Sequence, residues 1–447
     1  MIDINTITIV GGGTSGWMTA AYLSKMNSNV KITLVDKEQG TPVSVGEATI
    51  LTFRRFMEDC GFEVGDWYNQ IDATYKSGIL FTGWTEESDV WHPFYNNPQL
   101  GDITLCDAWL NSSRKDFSMH GLPFLEDSVG NMISTDHIDA YAFHLDCHKL
   151  VKYIKSKLNI TYIESDVVSF DGDNLTLKNG DVLQSDLYID CTGFKSVLKE
   201  QKRVFLDGRL FCNTAIAGHV EYVNQEVEQR PFVISDMVDH GWVWHIPTQS
   251  RIGTGLVFNR EITPIEEAKE YFNEYWNGRV GELKVLDWSP FYCKNVWDNK
   301  VVSIGLSAGF IEPLESTGIA LITEGIRRLQ NKIALRTWDA EDVYSYNYEM
   351  RSVFEDAIDF VSMHYSKPWK DTKFWNWVKD SYRETNRIYS IRSTLEKELL
   401  YSHNYKSPGI FSGANWTTWM IQLGYKVNTQ LEMSMEDADN IIDNFTV

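Results

Sequence analysis

The chain has 447 residues, 43% hydrophobic and 13% aromatic, which is enough apolar matter for two or three subdomains around substantial cores and too much for a disordered chain. A formal net charge of -21, with no Lys/Arg block to reverse it locally, argues against a nucleic-acid partner. Met1 to Asn5 lacks the charged start of a signal segment, no apolar run approaches membrane-spanning length, and the six cysteines show no C-x-x-C spacing, so a cytoplasmic protein with reduced thiols is expected.

Ile4 to Val10 reads as a β-branched strand, Gly11-Gly12-Gly13-Thr14-Ser15-Gly16 fits G-x-G-x-x-G, and Trp17 to Lys25 reads as a helix with Ala20, Ala21 and Leu23 on its packing side. Lys31 to Val35 returns as a second strand ending in Asp36, twenty residues beyond Gly16, where an acid would hydrogen-bond a ribose hydroxyl. The glycines let backbone approach a pyrophosphate at the positive end of the following helix. A dinucleotide site is therefore expected, built from Gly11, Gly13, Thr14, Ser15, Gly16 and Asp36.

Thr74 to Trp84, T-Y-K-S-G-I-L-F-T-G-W, has the aromatic and β-branched character of a buried strand and carries Lys76. An ammonium there either snorkels to the surface or sits in a cavity with a task. Tyr141 to Leu158 reads as a helix that sets His144 and His148 at i and i+4 beside Cys147, a spacing that raises the question of a metal. Leu175 to Gly193 reads as a hairpin through Asn179-Gly180 followed by a strand ending in Asp190-Cys-Thr-Gly193. Gly253-Thr-Gly255 lies in a strand-like run with no helix after it, so one nucleotide is expected and not two. Val301 to Gly318 reads as a strand, a glycine-rich turn and a helix starting at Ser316 or Thr317. Beyond residue 330 the chain reads as helical and aromatic, with clusters at Phe374-Trp-Asn-Trp377 and Asn415-Trp-Thr-Thr-Trp419, and Glu436 to Asn444 reads as a solvated acidic terminus.

Several segments together resemble the flavin-dependent halogenases, in the branch of the tryptophan halogenases. Gly241-Trp242-Val243-Trp244-His245-Ile246-Pro247 reproduces that family's W-x-W-x-I-P signature through Trp242, Trp244, Ile246 and Pro247. Gly46-Glu47-Ala48-Thr49 resembles its G-E-[SA]-T segment, Phe310 to Gly318 its P-L-E-S-T-G turn, and Trp91-His92-Pro93-Phe94 its H-P-F segment. Lys76, in A-T-Y-K-S-G-I-L-F, falls where the family has its catalytic lysine. These motifs keep the family's order from about residue 7 to about residue 330; beyond that the chain departs from it, and the paired tyrosines and glutamate that grip free tryptophan are not found.

The resemblance implies an α/β protein with a Rossmann-like FAD-binding domain of the aromatic-hydroxylase type and a mixed β/helical substrate domain. Residues 1–90, 141–215 and 295–345 are expected in the first, and 91–140, 216–294 and 346–447 in the second. It implies reduced FAD delivered by a separate flavin reductase, oxygen, and a halide (chloride, bromide or iodide) turned into hypohalous acid. Glu47 and Ala48 would lie at the cofactor, Thr317 and Gly318 at the halide, and Lys76, Glu315 and Ser316 at the chemistry. His92 and Phe94 would wall an indole- or phenol-type substrate, and the helix with His144 and His148 would hold no metal. A flavin-dependent aromatic monooxygenase, which the W-x-W-x-I-P segment opposes, and a non-catalytic binder on the same scaffold are the alternatives; subunit number, a homo-oligomer included, is left open.

Overall fold

The computed structural model describes residues 2–37, 46–93, 99–100, 103–113, 141–200 and 202–445. Its first sheet has six strands in the order Thr161–Glu164, Lys31–Asp36, Thr6–Val10, Leu187–Asp190, Val301–Ser303 and Trp297–Asp298, parallel except for the last. The central strands read as unbroken apolar runs because elements cover both of their faces, and Ile7, Ile9, Leu34, Val35 and Ile189 are fully buried. The helix Thr14–Met26 packs on this sheet through Gly16, Ala20 and Ala21. It starts three residues before the expected Trp17, since Gly13, extended at φ -76°, is already its N-cap. Ile2–Asp3 does not extend the first strand; it pairs with Thr337–Trp338. The hairpin at Asn179-Gly180 forms between Asn174–Leu177 and Val182–Gln184, with Gly180 at φ 89°.

The second large sheet has seven strands in the order Lys284–Asp287, Thr214–Val220, Ile252–Phe258, Gly241–Pro247, Val233–Val238, Gly78–Thr82 and Val90–Pro93. All pairs are antiparallel except Gly78–Thr82 beside Val233–Val238. The strand expected across residues 74–84 is split. Thr74–Lys76 pairs with Ala142–Leu145 in a small sheet that also holds Glu47–Ala48, whereas Gly78–Thr82 joins the large sheet. Ser77 makes the crossing: its N–H and Oγ both donate to the Pro231 carbonyl, at 2.7 and 2.8 Å. A Cβ on Gly78 would lie 2.6 Å from the His92 carbonyl oxygen, so only glycine passes there. Lys76 thus sits at the joint between two sheets.

The helix expected over residues 141–158 needs correction. Ala142–Leu145 is a strand, and the helix is Cys147–Lys157. Asp146 decides this: its carboxylate accepts the N–H of His148 and Lys149 at 2.9 and 3.1 Å and so caps a helix that begins after it. His144 lies on the strand and His148 in the first turn of the helix, so the i, i+4 geometry that raised a metal does not exist.

After residue 338 come the helices Ala340–His364, Lys373–Ser381, Asn386–Leu395, Gly413–Gln422 and Met435–Phe445. The aromatic clusters of the sequence fall inside two of them, where Trp375, Trp416 and Trp419 are fully buried. No described helix is long and apolar enough to cross a membrane. The acidic segment 436–444 is a second correction: it is not a solvated tail but part of Met435–Phe445, whose apolar side packs on the helix Leu105–Asn111. Ala438 and Ile442 are fully buried there, and Asp439 accepts the N–H and hydroxyl of Ser113 at 3.1 and 2.7 Å. Asp and Glu fill the other positions of an amphipathic helix. Ile442→Ala is expected to lower stability to urea by about 2 kcal/mol, against within about 0.5 kcal/mol for a residue in a solvated tail.

Candidate active site

The glycine loop after Thr6–Val10 is shaped by close backbone approaches. Gly11 is at φ 105°, where a Cβ would lie 2.4 Å from the Cys191 carbonyl oxygen, and a Cβ on Gly16 would lie 1.8 Å from the Gly11 carbonyl oxygen. Gly12 lies against the Asp36 carboxylate, whereas Gly13 faces open space. The helix behind the loop has no side-chain cap on its first N–H groups, so Thr14, Ser15 and Gly16 open a donor-rich end next to Asp36. This cradle fits the pyrophosphate and ribose of FAD. The turn at Gly305 comes against Ser15, where a Cβ would lie 2.7 Å from the serine Cβ, so the third expected flavin-side element does reach the loop. Glu47 is half-buried and burial alone pushes its carboxyl up to about 7, while Ala48 is buried opposite His144 in the small sheet.

Lys76 does not snorkel; it is fully buried. Its Nζ donates to Ser316 Oγ at 2.8 Å and to the Thr49 carbonyl at 3.0 Å. Burial pulls its pKa well below the ordinary lysine range, with Glu315 pulling the other way. Ser316 is the N-cap of the helix Thr317–Ile333 and stands at φ 57°, ψ 36°, a left-handed conformation that costs a non-glycine residue on the order of 1–3 kcal/mol. It is held by its own bond to Lys76 and by Glu315, which is pinned just before it. Immediately after it, Thr317 Oγ1 is buried with no partner among the described residues, and Gly318 faces open space.

Glu315 is held from three directions. Its Oε2 faces His92 Nδ1 at 2.8 Å, and its Oε1 faces His364 Nε2 at 2.6 Å and accepts Trp419 Nε1–H at 3.0 Å. Burial alone would raise its pKa, yet the two imidazoles outweigh that and hold the carboxyl down at about 2. His364 Nδ1 faces the Phe360 carbonyl at 2.8 Å, so both of its nitrogens meet acceptors; burial pulls the imidazole below its ordinary pKa, with Glu315 pulling the other way. His92 Nε2 takes the Asn415 amide at 2.8 Å, which leaves Nδ1–H to donate to Glu315. Three residues upstream, the fully buried Glu312 accepts the N–H groups of Phe211 and Cys212, both at 2.9 Å, and the Tyr365 hydroxyl at 2.5 Å.

The expected residues fall into groups. Lys76, Glu315 and Ser316 come together, with Thr317 and Gly318 following on the same turn. His92 is only 2% exposed and both its nitrogens serve protein partners, its ring meeting Phe360 and Trp419 at centroid distances of 5.6 and 6.4 Å. Phe94 lies outside the described residues. Trp242 and Trp244 lie on one face of their strand, 6.1 Å apart. Trp242 Nε1–H donates to Tyr365, and Trp244 lies across Gly255, where a Cβ would meet its ring at 2.1 Å. Ile246 and Pro247 are buried, and the Pro247 carbonyl accepts from Thr74 Oγ1. Sequence reasoning missed Thr49 as a Lys76 partner, and missed Glu312, His364, Tyr365 and Asn415. Trp419 was noted there only as aromatic. Glu312 alone carried a local signal, as an acid inside the apolar run F-I-E-P-L.

The family model described as tryptophan halogenase matches residues 6–438, so the likeness continues through the helices beyond residue 330, where the recognisable motifs stop. Tryptophan 6-halogenase ThaL of Streptomyces albogriseolus is 29% identical over 436 residues, covering 88% of this chain and 81% of that one. Tryptophan 7-halogenase RebH of Lentzea aerocolonigenes is 28% identical over 419 residues, covering 84% and 79%. Among solved structures, Xcc4156, a flavin-dependent halogenase from Xanthomonas campestris, superposes with a TM-score of 0.89 at 25% identity, covering 99% of this chain and 94% of that one. BrvH, a flavin-dependent halogenase from Brevundimonas sp. BAL3, does so with a TM-score of 0.88 at 26% identity, covering 99% and 96%. A buried lysine bonded to a strained turn, a glycine-loop cradle and these likenesses agree: the chain belongs to the tryptophan halogenase family.

Proposed function

We propose that this flavin-dependent halogenase places a halogen on an electron-rich indole- or phenol-type ring through Lys76. The observation that carries the reading is the Lys76 ammonium, fully buried and aimed at Ser316 on the turn that opens toward Gly318. Gly11, Gly13, Thr14, Ser15, Gly16 and Asp36 would hold FAD, with Glu47 and Ala48 alongside, and Thr317 and Gly318 at a helix start suit a halide. Reduced FAD, with oxygen and halide, supplies hypohalous acid.

Hypohalous acid is neutral, diffusible and unselective in water, so it must be held beside one ring carbon. Lys76 does so either by donating an N–H to the oxidant's oxygen, which raises the electrophilicity of the halogen, or by trading a proton for the halogen to give a haloamine and water. A ring carbon then takes the halogen as its bond to oxygen or to Lys76 Nζ breaks, and the ring proton passes to the group that leaves, hydroxide to give water or the lysine amine to give back the ammonium. Glu315 is a weak proton acceptor, being held at about 2 with both oxygens engaged, so its contribution is a fixed negative charge that favours the cationic ring intermediate. The relatives named for tryptophan support indole chemistry.

Lys76→Ala should bind FAD, consume oxygen with halide and release trappable oxidant, yet give no ring-halogenated product by mass spectrometry. Lys76→Arg should fail in the same way, because a guanidinium forms no equivalent haloamine and does not fit the cavity. Normal product from a folded, flavin-bound Lys76→Ala protein removes the proposal.

With a single nucleotide fingerprint, the reduced flavin comes from a separate reductase. NADPH added to the FAD-loaded protein alone should leave the flavin spectrum unbleached, and bleaching should begin when a reductase is added. Glu315 also sets an acid limit. Its folded pKa lies below the ordinary 4.5, so its stabilisation is complete above that value and is lost as pH falls toward about 2. The urea midpoint of the wild type should therefore drop toward that of Glu315→Gln as pH falls from about 4.5 to about 2, by at most about 3 kcal/mol in stability.

A further inference from the structure

We propose that Glu312 and Tyr365 are positioning residues of the halogenation site, acting through Trp242 and through the turn that carries Glu315 and Ser316; this rests on the Lys76 reading above. Tyr365 is fully buried, and its hydroxyl donates to Glu312 Oε2 at 2.5 Å while accepting Trp242 Nε1–H at 3.1 Å. The other Glu312 oxygen takes two backbone N–H groups, from Phe211 and Cys212. Cys212 Sγ also lies 3.7 Å from the Tyr365 hydroxyl. Glu312 thereby ties the signature strand, the segment before Thr214–Val220 and the Pro313–Glu315 turn to one helix end.

His364 and Tyr365 are consecutive, and they grip Glu315 and Glu312, which are three residues apart on a single tight turn. Two adjacent grips fix both the place and the rotation of that turn, where one would leave it free to pivot. The next residue is Ser316, left-handed and bonded to Lys76, so a pivot of the turn would move the partner of the reacting ammonium. Trp242 is 1% exposed, and the Tyr365 oxygen accepts its indole N–H. Without that oxygen the indole must turn or admit water, and the packed aromatic wall it forms with Trp244 loosens. A loosened wall lets oxidant escape before Lys76 uses it.

Tyr365→Phe removes one oxygen and keeps the ring. FAD affinity and trapped oxidant should stay within about twofold of wild type, and KM for an indole substrate likewise, while ring-halogenated product per oxidant formed falls about fivefold or more. Trp242→Phe should show the same loss, and the double variant should be no worse than the worse single one, since both break one linkage. A readout that needs no turnover is the indole N–H resonance of Trp242 in protein labelled with 15N-tryptophan, assigned by its disappearance in Trp242→Phe. It should shift and exchange with solvent about tenfold faster or more in Tyr365→Phe. If Tyr365→Phe does not fold, Glu312→Gln keeps the volume and takes its place with the same expected outcomes. Unchanged product per oxidant, losses that multiply in the double variant, or an unmoved indole resonance each overturn the proposal. Should Lys76→Ala halogenate normally, the Lys76 reading fails instead, and the indole resonance still judges the linkage.

Discussion

Burying one ammonium is the constraint on which the rest of this site depends. Moving such a charge out of water costs several kcal/mol even after relaxation, and Lys76 is fully buried. Two neutral acceptors, Ser316 Oγ and the Thr49 carbonyl, offset part of that cost, and Glu315 supplies the opposing charge. Glu315 is itself buried, so it needs its own partners, and these come from three distant places: His92, His364 and Trp419. One buried cation therefore recruits a network that spans most of the chain, and breaking any member strands a charge where water cannot reach it.

Backbone geometry makes the network possible. The split at Ser77 lets Thr74–Lys76 belong to the small sheet and Gly78–Thr82 to the large one, so Lys76 is presented between them and not along a continuous face. On the other side, the left-handed Ser316 turns the chain sharply between an acid that faces imidazoles and a helix start where Gly318 faces open space. Such a conformation is disfavoured in isolation. Here the bond to Lys76 holds Ser316 itself and the grips on Glu312 and Glu315 hold the residues before it.

Some of this was legible in residue order because its causes are local. The glycine loop needs glycine for contacts within the same strand–turn–helix unit and its neighbour, the hairpin at Asn179-Gly180 follows from one residue at positive φ, and the apolar runs of the parallel sheet follow from burial on both faces. The segment Phe310 to Gly318 was legible as a turn leading into a helix, because Pro313 and Gly318 punctuate it locally. Local periodicity also misled, since Tyr141 to Leu158 looks like one amphipathic helix until Asp146 is recognised as a cap in the middle of it.

What only the tertiary structure decided is which groups meet. Nothing near His364 or Trp419 in the sequence points to Glu315, because their partners lie 49 and 104 positions away on other elements. His92 and Asn415 meet across 323 positions. The sequence by itself determined that a dinucleotide-type loop exists, that a lysine interrupts an apolar strand and that a turn of halogenase type follows. Whether that lysine reached the surface or stayed inside depended on what packed around it. That is a property of long-range contacts: desolvation and ion pairing act through space, and a one-dimensional pattern records spacing along the chain but not distance across the core.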